Sequence, residues 1–325
     1  MEKYAIGVDI GGTAIKFALV SESGKLLYEH SLATEAAKGK TAVLDNIMSG
    51  VAFLLAKNSV EEHREKLLGV GVGVPGVVSL DSNTVKYPPN LPGWDVVKLG
   101  DVLRERLLSE HHLQKPVFVE NDANLAAFGE ASFGAGRPFS DFIMITLGTG
   151  IGSGIIINRK IYRGTTGAAG ELGHITIDFK SDRIHAGIRG TIEGLIGQKR
   201  IVEYAKQLAA SRPTSKLFEV CSNDLDALSP KLIDQAAEAG DETAIDIWRW
   251  VGNILGAGLG AAVSILDIRK FVIGGGVAGA GEFIFGPALE QLKHYTLHSM
   301  HDGLELIPAK LGNNAGVMGG AALCF

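Results

Sequence analysis

Three short stretches of this chain place carboxylates and amides where they can take a proton or grip a hydroxyl. Glu120-Asn121-Asp122 follows an apolar run, Pro116 to Val119, and opens a stretch of helical composition, Ala123 to Ser132. A carboxylate at Asp122 can accept the proton of an attacking hydroxyl, and Asn121 beside it offers both a donor and an acceptor to a pair of hydroxyls. Either residue could equally cap the helix that begins at Ala123. Gly170-Glu171-Leu172-Gly173-His174 sets a carboxylate and an imidazole between glycines, a combination suited to vicinal hydroxyls. Glu193, within Gly190-Thr191-Ile192-Glu193-Gly194, adds a third polar arm or, alternatively, a helix-start carboxylate aligned with the dipole.

Three glycine turns complement these groups. Asp9-Ile10-Gly11-Gly12-Thr13, Gly148-Thr149-Gly150-Ile151-Gly152 and Gly274-Gly275-Gly276 each follow an apolar strand. Backbone N–H groups grip a phosphate chain when they can approach it closely, and glycine, lacking Cβ, permits that approach. Singly, each turn is as well explained by sheet geometry; three in order after strands favour phosphate. Asp9 precedes its glycines, where its carboxylate could hold Mg²⁺ through water or cap its own turn. Lys16 could reach phosphate oxygens or lie solvated at a strand edge. No G-x-x-x-x-G-K-[ST] occurs, which argues against a Walker-type loop, and Gly7-Val8-Asp9 breaks the G-x-G-x-x-G spacing. Phosphoryl transfer asks mainly for positioning and cancellation of charge, so a base beside phosphate-binding turns reads as a kinase acting on a hydroxyl.

The elements that must position these groups alternate between strand and helix, an α/β arrangement. Tyr4 to Val8, Ile15 to Val20 and Leu26 to Ser31 read as strands, with a hairpin signal centred on Gly24. A helical stretch through Ala42, Ile47, Val51 and Leu54 precedes a buried strand, Leu68 to Val74, that Pro75-Gly76 stops. Residues 95 to 110 look helical. The opening pattern then returns about 135 residues on: strand Phe142 to Leu147, glycine turn, strand Ser153 to Ile157, turn Asn158-Arg159-Lys160 and return Ile161-Tyr162. That repetition suggests an internal duplication. Residues 193–210, 230–240 and 241–265 have helical composition, Lys270 to Ile273 is a strand, and Ala315 to Leu323 is a small, apolar closing helix.

Size and charge agree with an enzyme of small molecules. The 325 residues allow two domains, and 46% apolar with 21% charged residues is ordinary for a globular chain. The 43 glycines are the outlier. A formal net charge of −5 gives no general attraction to nucleic acid or an anionic membrane. Cys221 and Cys324 form no disulfide framework and no CxxC pair, which fits a cytoplasmic location. No apolar run reaches ~18 residues, and the start lacks the pattern of a signal peptide, so a mature chain beginning near Met1 is expected.

Together these residues resemble the ROK family of sugar kinases and repressors, within the fold of actin, sugar kinases and Hsp70 ATPases. The resemblance spans essentially the whole chain. Besides the turns already named, it runs through Gly73-Val74-Pro75-Gly76, Asn90-Leu91-Pro92-Gly93-Trp94, Glu120-Asn121-Asp122-Ala123-Asn124 and Glu171-Leu172-Gly173-His174. It implies a two-lobed α/β actin-like ATPase of duplicated ribonuclease H-like domains with an interlobe cleft, ATP and Mg²⁺ as donor, and a homodimer. The expected lobes are residues 1–119, joined by a C-terminal helix at about 305–325, and residues 120–304. Carried over by position, Asp122 is the base, and Asn90, Asn121, Asp122, Glu171, His174 and Glu193 hold the sugar. Gly11, Gly12, Thr13, Gly148, Thr149, Gly150, Gly275 and Gly276 contact the nucleotide, with Asp9 and Lys16 beside them.

One departure from the family pattern stands out. Members commonly carry C-x-C-G-x-x-G-C-x-E after the Gly-His pair, three cysteines and the histidine binding structural zinc. Here Ile184, Ala186 and Thr191 occupy the cysteine places, and His174 with His185 cannot replace three thiolates, so no zinc is expected. The reading is therefore an ATP:hexose phosphotransferase, glucose to glucose 6-phosphate first. Mannose, fructose, N-acetylmannosamine and N-acetylglucosamine are the alternatives, and polyphosphate is a donor to compare with ATP. A sugar-responsive regulator of the same family is less favoured, because the chain is acidic and Asp9 leaves little room ahead of it for a helix-turn-helix.

Overall fold

The computed structural model describes residues 2–57, 60 and 63–325. By backbone packing the chain divides into two units: residues 1–140, 154–170 and 310–325, and residues 141–153 and 171–309. The first unit thus reaches past the expected boundary at residue 119. The helix Asp122–Phe133 belongs to it because Gly129 and Gly319 let that helix meet the helix Ala315–Ala322 backbone to backbone.

The first unit is built on a five-stranded sheet ordered Leu26–Ala33, Ala14–Ser21, Tyr4–Ile10, Leu67–Val74, Val117–Asn121. The first three strands pair antiparallel and the last two add in parallel. Side chains of a strand alternate between faces. Tyr4, Ile6, Val8 and Ile10 accordingly bury on one side in a core with Val43, Ile47 and Val51 of the helix Lys40–Leu55 and Leu103 and Leu107 of the helix Leu99–His111.

The opposite face carries Ala5, Gly7 and Asp9, and its residues are small for a reason. The helix Ala315–Ala322 lies almost against the sheet backbone, packing Val317, Met318 and Ala321 on Ala5, Ala18 and Val20. A Cβ at Gly7 would run into the carbonyl of Val317, and one at Gly71 into that of Gly320. Those glycines are therefore tertiary requirements, not turn signals. A three-stranded sheet of Val77–Val78, Val85–Lys86 and Val96–Val97 precedes the helix Leu99–His111.

A second five-stranded sheet repeats the plan. Phe142–Leu147, Lys270–Gly274 and Glu305–Pro308 are parallel neighbours, as the last three strands of the first sheet are. Ile151–Ile157 and Lys160–Ile161 form the antiparallel hairpin that corresponds to the opening one. The 25-residue helix Glu242–Leu266 is apolar because it is a core element, with Ile247, Trp248, Val251, Leu255 and Leu259 buried. By length and composition alone it could cross a membrane. It lies against Glu282–His294 through Gly252 and Gly256, where a Cβ would crowd the carbonyls of Ile284 and Ala288. The helix expected over 193–210 is two helices, Ile192–Ile196 and Gln198–Ala210, with Gly197 between them.

Candidate active site

Three parallel strands bring the candidate residues of the first unit to one sheet edge. In their register Asp9 lies opposite Gly73, Gly73 opposite Glu120, and Val74 opposite Asn121. Asp9 and Lys16 are direct partners across the antiparallel hairpin, so both project from the face that packs the C-terminal helix.

The Asp9 carboxylate occupies a slot that glycines leave open. A Cβ at Gly316 would sit 2.8 Å from Asp9 Oδ2, and one at Gly73 3.4 Å from Oδ1. Burial, then the negative charge of Asp122, lift the Asp9 carboxyl to about 6, while Lys16 pulls the other way. Lys16 Nζ donates to the Asn313 carbonyl at 3.3 Å.

Asp122 is the first residue of the helix Asp122–Phe133. Burial raises its carboxyl above the ordinary range, opposed by N–H donation from the Ala123 backbone, its own backbone and the Asn121 side chain. Asn121 is the N-cap: its Oδ1 accepts from Ala123 N at 2.9 Å and Asn124 N at 3.1 Å, and its Nδ2 donates to the Gly76 carbonyl at 3.1 Å. The amide that could have served hydroxyls thus serves the helix start, the Pro75-Gly76 turn and the Asp122 carboxylate.

Gly11 N donates to the Ala14 carbonyl at 3.0 Å and Gly11 O accepts from Thr34 Oγ1 at 2.6 Å, which fixes the first glycine turn. Gly12 and Thr13 are exposed. Asn90 stands beside that turn: it is exposed, has φ +65°, and a Cβ at Gly12 would lie 3.3 Å from its own Cβ.

In the second unit the other two glycine turns are neighbours. Gly274 pairs with Thr146 across parallel strands, and Gly275, at φ +90°, passes so close to Leu147 that a Cβ would meet its backbone. Thr149 and Gly276 are exposed, while Gly148 and Gly150 are half-buried. Glu193 clamps the 148–152 turn: its Oε2 accepts from Ile151 N at 2.5 Å, its carboxylate lies against Gly150, and its Oε1 pairs with His185 Nε2. Both oxygens of Glu193 are therefore engaged within the protein. His174 Nε2 lies 3.8 Å from Glu171 Oε2, and its Nδ1 is buried without a hydrogen-bond partner.

The loop that departs from the zinc pattern is a small, well-defined structure. Ile184–His185 and Ile188–Arg189 pair antiparallel, and Ala186 and Gly187 between them have φ +48° and +79°, the signs of a type I′ hairpin. Thr191 is buried and caps the helix Ile192–Ile196, its Oγ1 accepting from Gly194 N at 3.0 Å. His174 and His185 lie ring over ring at 6.2 Å. Among the described residues, no group of three or more His, Cys, Asp and Glu side chains is arranged to hold a metal ion.

Two buried glutamates were not assigned roles from sequence. Glu120 is 1% exposed; its Oε1 accepts from Asn121 N at 2.9 Å and Asn124 Nδ2 at 3.0 Å, and its Oε2 accepts from Arg163 Nε. Glu130, in the helix Asp122–Phe133, accepts from Ala135, Lys310 and Leu311 N–H groups at 2.5, 2.9 and 2.7 Å. A carboxylate flanked by Asn and Asp signals chemistry, but nothing local shows which of the three turns inward.

A paired-sheet plan of this kind, with glycine turns after the first strand of each copy and a carboxylate opening a helix, is that of the actin-like ATPases. A glucokinase from Streptomyces griseus, solved with glucose and AMPPNP, superposes with a TM-score of 0.81 at 35% identity over 98% of both chains. The glucokinase of Halalkalibacterium halodurans is 34% identical over 99% of this chain and 95% of its own, and that of Streptomyces coelicolor 35% identical over 98% and 96%. The ROK family model matches residues 5–325, and the chain belongs to the ROK family.

Proposed function

We propose that this chain is an ATP-dependent hexose kinase that transfers the γ-phosphoryl group to the 6-hydroxyl of glucose. The observation that carries the reading is Asp122: a carboxylate at a helix start, raised above its ordinary range by burial, within electrostatic reach of Asp9. A base of that kind can take a hydroxyl proton, and a raised pKa makes it a stronger base. The similarity to glucokinases along the chain, one of them holding glucose and an ATP analogue, supports glucose and ATP.

In this reading Asn90, Asn121, Glu171 and His174 orient the sugar. Glu193 acts through the turn it clamps, and Gly11, Gly12, Thr13, Gly148, Thr149, Gly150, Gly275 and Gly276 admit the nucleotide, with Lys16 near its phosphates. Asp9 fits a water-mediated magnesium site, since a buried carboxylate beside a second carboxylate gains from a divalent cation. Magnesium, when bound, would neutralise phosphate charge. The 184–189 hairpin, held by the His185–Glu193 pair and the Thr191 cap, takes the place of structural zinc. The proposal includes a cytoplasmic homodimer.

A coupled ADP-release assay tests it. With ATP and Mg²⁺, glucose should give the highest kcat/KM in a panel with mannose, fructose, N-acetylmannosamine and N-acetylglucosamine, and polyphosphate should be the poorer donor. Absence of turnover with every hexose would sink the kinase reading; a different preferred sugar would sink only glucose. Stoichiometric zinc in chelator-washed protein would overturn the hairpin substitution.

A further inference from the structure

The second unit holds a cavity of about 470 Å³, lined by Asp178, Arg183, Arg200, Tyr204, Trp250 and Gln291 among others. None of these six is a residue assigned above to sugar, nucleotide or metal. The volume lies within the range of small-molecule sites.

Two features give the cavity a chemistry. Tyr204, on the helix Gln198–Ala210, and Trp250, on Glu242–Leu266, stack with ring centroids 4.2 Å apart, which makes a fixed aromatic platform from two helices. Arg200, with only 14% of its side chain exposed, spends Nη1 on Glu203 at 2.9 Å, yet its Nε is buried with no hydrogen-bond partner. An orphaned buried donor destabilises the fold, and an incoming acceptor would satisfy it. Arg183 is the second guanidinium of the lining; Glu203, shared with Arg200, is 3.9 Å from it. Against these two cations the lining offers one carboxylate, Asp178, whose Oδ1 already accepts from Lys180 N at 3.1 Å. Planar guanidinium groups match phosphate oxygens in geometry as well as charge.

We propose that this cavity binds a phosphorylated sugar of the kind the kinase releases, its phosphate on Arg200 and Arg183 and its ring against Trp250. The phosphate half of the inference stands on the cavity alone; the choice of a sugar as the body rests on the kinase reading.

Titration calorimetry of the full chain with glucose 6-phosphate, with glucose and AMPPNP saturating the site around Asp122, tests both halves. One site per chain should remain, weakened at least tenfold by Arg200→Met and by Trp250→Ala, less by Arg200→Lys, and unchanged in Asp122→Asn. Inorganic phosphate should compete, and glucose alone should not. No binding beside saturating glucose, or equal affinity in a folded Arg200→Met variant, overturns the site. Glucose 6-phosphate binding no tighter than inorganic phosphate overturns the sugar body. Loss of kinase activity toward every hexose would leave Arg200-dependent phosphate binding measurable, so the two readings fail separately.

Discussion

Glu120 and Arg163, 43 residues apart, form an ion pair directly behind the catalytic candidate: the carboxylate is 1% exposed and the guanidinium Nε donates to its Oε2. The other oxygen of Glu120 holds the backbone N–H of Asn121, so the pair fixes the angle at which the helix Asp122–Phe133 starts. Removing one partner of a buried pair leaves an uncompensated charge and costs ~3–5 kcal/mol. Arg163→Met should lower kcat with the KM for ATP unchanged, and should lower the unfolding midpoint. Arg163→Lys should recover part of both. An unchanged kcat in a folded Arg163→Met protein would show the pair to be structural only.

Asp122→Asn keeps an oxygen for the Ala123 N–H and removes only the base. Loss of a general base lowers kcat by ~10² to 10⁴. Because burial disfavours the charge of Asp122, the variant should be at least as stable as the parent in thermal unfolding. Retained turnover would remove Asp122 from the chemistry.

Asp9 sets a pH dependence of stability in the metal-free protein. Its carboxyl titrates at about 6 in the fold against an ordinary 3.8. Between those values the native state holds a proton that the unfolded chain has lost. Stability therefore falls as pH rises through that window and stays lower above it. An offset of about two units corresponds to ~3 kcal/mol. Asp9→Asn should unfold at a higher temperature than the parent at pH 7.5, with the gap closing near pH 4, while phosphoryl transfer declines. A gap independent of pH would contradict the buried-carboxylate account.

The turn at Ala186-Gly187 offers a gain. An alanine at φ +48° carries a left-handed strain of ~1 kcal/mol that asparagine largely avoids. Ala186→Asn should slow proteolysis within residues 184–189 and raise the unfolding midpoint slightly. Faster cleavage would mean the hairpin does not persist in solution.

Much of this was legible because it is local. Strand alternation, glycine turns and the helix start at Asp122 all follow from neighbours within a few positions. The rest depended on residues that meet only in the fold. Gly7 and Gly71 look like weak points of a strand until the helix Ala315–Ala322 is seen against them. Glu193 could be read as a sugar ligand or a helix-start carboxylate, and its grip on Ile151 N, 42 positions away, has no signature in either stretch. The strands Val77–Val78, Val85–Lys86 and Val96–Val97 are too short to show a period.

The closeness of the helix Ala315–Ala322 to the strand Tyr4–Ile10 has a consequence for synthesis. The small-residue face of that strand leaves the ribosome early, yet its cover comes from residues translated after every part of the second unit. Domains generally fold as units while the chain emerges. The later-made unit can finish first, while the glycine-lined seam of the earlier one closes only once the last residues have emerged.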